Sequence, residues 1–79
     1  MNLKKLLTAF MNPQLLRHLW SLVERSQSSH LLALDDTSLV HWLMDQFAGQ
    51  RVINQAETDQ LTHYIRSKLP LIRDLAQGR

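Results

Sequence analysis

The chain has 79 residues, 44% of them hydrophobic, with nine Lys and Arg against seven Asp and Glu and a formal charge of +2. A length of this order gives one domain, which buries only about 60% of its unfolded surface and gains from a partner or from self-association. The absence of cysteine excludes disulfides and thiolate metal sites, and so small a net charge does not by itself call for a nucleic-acid partner.

At the start, Leu3, Leu6, Leu7, Phe10 and Met11 recur at three- and four-residue spacing opposite Lys4, Lys5 and Thr8, which predicts a short amphipathic helix over 2–11. Such a helix is marginal in water and needs a surface to pack on. That surface is its own domain in the favoured reading. In the alternative it is a membrane, with Lys4 and Lys5 among headgroups and Leu3, Leu6, Leu7 and Phe10 below them. No apolar run reaches the ~20 residues that span a bilayer, and no small-residue cleavage pattern follows the lysines, so the stretch reads as mature sequence of a cytoplasmic protein.

Asn12-Pro13 closes this helix and opens the next, because proline disfavours helix in the residue before it yet suits the first helical position. A helix over 13–27 follows, with Leu15, Leu16, Leu19, Leu22 and Val23 on one face, Arg17, Ser21, Glu24 and Arg25 opposite, and Trp20 at the edge. Ser26-Gln27-Ser28-Ser29-His30 then breaks the pattern. Leu31, Leu32 and Leu34 fit either a helical turn or an extended link, and are expected to plug one end of the core.

The clearest pattern lies between Leu34 and Leu69. Asp35 or Asp36 caps a helix over 36–48 in which Leu39, Val40, Leu43, Met44 and Phe47 share a face. Gly49 is expected to stop it in the left-handed conformation. After Val52 and Ile53, Asn54 and Glu57 form a capping box for a helix over 55–68 striped by Leu61, Tyr64, Ile65 and Leu69. Leu69-Pro70 should kink or restart the chain, leaving a last helix over 70–77 with Leu71, Ile72, Leu75 and Ala76, ended by Gly78. The fold class is therefore all-α: one domain over 1–79, a compact bundle of four to five short helices built around a helical hairpin, with Leu19, Leu43 and Leu61 central to a common core.

No catalytic constellation emerges. There is no Cys nucleophile, no Ser in a Gly-x-Ser-x-Gly elbow, and with two glycines no phosphate-cradling loop. Asp35 and Asp36 are adjacent at a helix start, where capping is the usual role. The pairs His41 with Asp45 and Asp59 with His63 have ligand spacing, but the helical wheel turns both away from the apolar faces; His18 and His30 lack ligand-spaced companions. Neither a metal nor a cofactor is expected.

Arg66, Lys68, Arg73 and Arg79 offer an alternative, weak nucleic-acid contact near the C-terminus. Against it, the connection before the following helix is long for a helix-turn-helix, and that helix opens with Glu57 and Asp59. The aromatic residues favour a different function. Trp20 and Trp42 both fall off the centres of their apolar faces, and Trp42, with Met44 beside it, is turned from the Leu43 and Phe47 line. Trp is enriched among residues that dominate interface energy. The sequence thus favours a non-catalytic adaptor or regulatory module that binds a protein partner, or itself, through Trp42, Trp20 and Met44.

Overall fold

A computed structural model describes residues 12–78, which form four helices: α1 (Pro13–Arg25), α2 (Ser28–Ala33), α3 (Asp36–Gln50) and α4 (Gln55–Gln77). These residues contain no strand, and the expected first helix over 2–11 lies outside them. The 40 Å long axis of the molecule is little more than the ~35 Å length of a helix the size of α4, against which α2 and α3 pack.

The starts of α1, α3 and α4 are specified by their own side chains, whereas α2 begins without a side-chain cap. Asn12 Oδ1 accepts from the Gln14 N–H at 2.8 Å, with Pro13 as first residue of α1. Asp35, not Asp36, caps α3, accepting from the Ser38 N–H at 2.8 Å. Asn54 and Glu57 exchange reciprocal bonds of 2.8 and 3.1 Å at the start of α4. The backbone N–H of Ser38, then its hydroxyl, hold the Asp35 carboxyl below the usual aspartate range. Since the folded-state pKa is depressed, this stabilisation is complete above the unfolded value, near 4, and is lost as pH falls through the folded one. Asp35→Asn is accordingly expected to flatten the acid limb of stability below about pH 4. Unchanged acid limbs in urea titrations of the two proteins would refute that role.

The helix ends differ more from expectation. α1 stops at Arg25 rather than 27, because Ser26 folds back: its hydroxyl donates to the Leu22 carbonyl at 2.7 Å and its N–H bonds the carbonyls of Leu22 and Val23. Leu31, Leu32 and Leu34 do belong to a helical turn and its exit. Leu31 is fully buried, Leu34 packs against the core and Leu32 stays exposed.

Gly49 is not a left-handed stop. No described glycine has positive φ, and α3 continues to Gln50 before leaving through an extended Arg51. The extended exit leads the chain towards Ile53, which packs on the core, so no reversal is needed at Gly49. Nothing lies within 4 Å of a β-carbon placed there. Gly49→Ala should therefore stabilise the protein by up to about 1 kcal/mol, read as a raised urea midpoint at unchanged slope. A lowered midpoint would restore the left-handed assignment.

The expected break at Leu69-Pro70 is absent, and α4 runs unbroken through Pro70. Pro70 cannot bond the Arg66 carbonyl, but both residues are exposed and water can take it up. Meanwhile Leu69 and Ile72, on either side, are buried and hold both halves of the helix on the same core. That core comprises Leu15, Leu19, Leu22 and Val23 of α1, Leu31, the α3 stripe Leu39, Val40, Leu43 and Phe47, and the α4 stripe from Leu61 to Ala76. Leu19, Leu43 and Leu61 are all fully buried, as expected.

Candidate functional site

A groove of about 410 Å³ opens where α1, α2 and α3 meet. Its apolar surface is Leu22 and Trp42, and its polar rim is Arg25, Ser26, Gln27, His30, Gln46 and Gln50. Trp42, Gln46 and Gln50 recur every four residues and so form one edge of α3, beside the stripe that enters the core. Among the described residues, no Asp or Glu lines the groove.

Trp42 is half-buried rather than turned out to solvent. Its ring leans on His30, with centroids 4.5 Å apart and planes tilted by 58°. Nε2 of His30 is buried and has no hydrogen-bond partner among the described residues. At the far end, the Gln50 side-chain oxygen accepts from Arg25 Nη2 at 3.2 Å and lies 3.0 Å from His18 Nε2. A guanidinium can only donate, so the Gln50 atom facing it is the oxygen, and His18 Nε2 then carries the second donated hydrogen. The His18 and Phe47 rings meet nearly perpendicular, with centroids 4.8 Å apart, which holds the imidazole plane. Arg25 also reaches the Ser21 carbonyl but meets no carboxylate among the described residues.

The three aromatic and thioether candidates are not gathered in one place. Trp20 covers α4, donating from Nε1 to the Tyr64 hydroxyl at 3.2 Å in an edge-on contact. Met44 is half-buried against the core and does not line the groove. Only Trp42 stands in the groove wall. Among the described residues the large apolar side chains left exposed are Leu32, Val52, Leu71 and Leu75, none singled out as a contact by the sequence.

The basic candidates are dispersed as well. Arg66 and Lys68, two residues apart, project about 200° apart around α4. Lys68 lies over the Tyr64 ring, 5.8 Å from its centroid. Arg73 is engaged inside the molecule, donating to the carbonyls of Leu31 and Leu34 and pairing with Asp36. Arg79 lies outside the described residues, as do Leu3, Lys4, Lys5, Leu6, Leu7 and Phe10 of the membrane alternative. His41, Asp45, Asp59 and His63 are exposed, and no cluster of three or more potential metal ligands occurs among the described residues. No helix among the described residues is long and apolar enough to cross a membrane.

Arg25 and Gln50 line the polar end of the groove, His18 meets Gln50 beside it, and none of the three stands out in the sequence. Arg25 and His18 do share a flank of α1, seven residues apart, and that is the available signal. Gln50 joins them only through the crossing of α1 and α3. Comparison of the chain with family models, curated proteins and solved structures finds no match.

Proposed function

We propose that this protein is a non-catalytic adaptor or regulatory module, framed by the helical hairpin of α3 and α4, that receives a protein partner in the groove walled by Trp42. One observation carries the reading: the largest aromatic ring of α3 sits half-buried in a groove wall instead of at the core centre. Partly covered Trp in a concave surface has the properties of an interface anchor: large area, little side-chain entropy to lose, and a rim able to exclude water. The polar groups around it, Arg25, Gln27, Gln46 and Gln50 among them, are hydrogen-bond donors and acceptors that suit a peptide partner.

The test compares capture of host proteins on immobilised wild type, Trp42→Ala and Gln46→Arg. Trp42→Ala also removes packing, so helix content is checked by circular dichroism. Gln46→Arg fills the groove from an exposed rim position and leaves the core intact. A partner retained by wild type should bind either folded variant more weakly by at least ~2 kcal/mol. Equal capture by all three proteins refutes the groove as the contact surface.

A further inference from the structure

We infer that the groove selects a partner segment in which an acidic side chain stands beside an apolar one, the carboxylate meeting Arg25 and the apolar group resting on Trp42 and Leu22. The inference rests on the docking reading above and specifies the chemistry of the partner.

The argument starts from the convergence on Gln50. Two donors, Arg25 Nη2 and His18 Nε2, are aimed at one neutral amide oxygen at 3.2 and 3.0 Å. Bonds from a guanidinium to a carboxylate are shorter and roughly twice as strong as bonds to a neutral oxygen, and a carboxylate can take the guanidinium fork bidentately. Gln50 is an exposed residue at the end of α3, so its side chain can swing aside without disturbing packing. An incoming carboxylate thus exchanges a weak acceptor for a strong one.

Charge around the site points the same way. Among the described residues, Arg25 finds no carboxylate and no acidic residue lines the groove to repel an anionic segment. The exposed rim groups Gln27 and Gln46 suit an extended backbone, which presents both donors and acceptors. Leu22 and Trp42 provide the apolar floor next to the polar end, so recognition needs the acidic and apolar groups close together. An acid alone would find an exposed, screened cation, and an apolar group alone would leave Arg25 on its amide.

The experiment uses the full chain with Trp20→Phe, which leaves Trp42 as the sole indole. Two acetylated, amidated pentapeptides are titrated: one with a central glutamate flanked by leucines, and its glutamine counterpart. Each is run against the Trp20→Phe protein and against Trp20→Phe with Arg25→Gln, an exposed position. The glutamate peptide is expected to change Trp42 fluorescence saturably and to bind about three- to fivefold tighter than the glutamine peptide, the upper part of the range for one solvent-exposed ion pair. In the Arg25→Gln protein that difference should vanish, which assigns it to this residue. Saturable binding of both peptides with equal affinity overturns the acidic preference and leaves the docking reading standing. An unresponsive Trp42 up to millimolar peptide, in a protein shown to be folded, overturns the inference outright. Glutamate selectivity that survives Arg25→Gln also overturns it, by placing the acid elsewhere.

Discussion

Leu43→Ala should remove a large fraction of the protein's stability, read as a strongly lowered urea midpoint. Leu43 is fully buried in the middle of the α3 stripe, between α1 and α4, and the neighbouring Leu19, Phe47, Leu61 and Ile65 are equally inaccessible. Truncation removes the transfer free energy of three carbons and leaves a cavity that rigid helices close only in part, a cost of about 2–5 kcal/mol. Chains of this length have total stabilities of about 4–12 kcal/mol. The loss is therefore a large fraction of what holds the fold. Leu71→Ala supplies the comparison, because Leu71 is 45% exposed on α4 and its truncation should cost well under half as much. Urea titrations with equal slopes but nearly equal midpoints for the two variants would show that Leu43 is not central.

Arg73→Ala should be the most damaging substitution of a charged residue among those described. Arg73 projects from α4 into the end of the bundle, with its side chain 24% exposed. It donates to the Leu31 carbonyl at 3.2 Å, to the Leu34 carbonyl at 2.9 Å and to Asp36 Oδ1 at 2.8 Å. The first two matter most. A six-residue helix such as α2 has more unpaired terminal carbonyls than internal bonds, and no glycine cap satisfies them. The ion pair itself adds little, since the Asp36 side chain is 72% exposed and such pairs are worth about 0–1 kcal/mol. Hydrogen bonds from a charged donor to partly buried carbonyls contribute more, so Arg73→Ala is expected to cost about 2 kcal/mol or above, and Asp36→Asn under about 1 kcal/mol. Hydrogen exchange should further show the α2 amides losing protection ahead of those in α3 and α4. Equal losses from Arg73→Ala and Asp36→Asn would assign the stabilisation to the ion pair instead.

The all-α class, the starts of α1, α3 and α4 and the identity of the core stripes were legible in the sequence because they depend on local interactions. A cap such as Asn12, Asp35 or Asn54 bonds an N–H two or three residues away, and the 3.6-residue period places Leu39, Leu43 and Phe47 together before any neighbour is known. Where helices end, and what the off-centre side chains do, was decided by tertiary structure. Local preference gave Gly49 a left-handed stop and Pro70 a break, yet α3 exits by an extended Arg51 and α4 stays continuous where Leu69 and Ile72 are both held in the core. The same holds for the groups away from the core stripes. Arg73 read as a free cation until the fold brought Leu31, Leu34 and Asp36 to it, and Trp42 read as solvent-facing until α2 placed His30 against its ring. Helical periodicity fixes the angle of a side chain around its own axis, whereas only the packing of one helix on another decides which group it meets there.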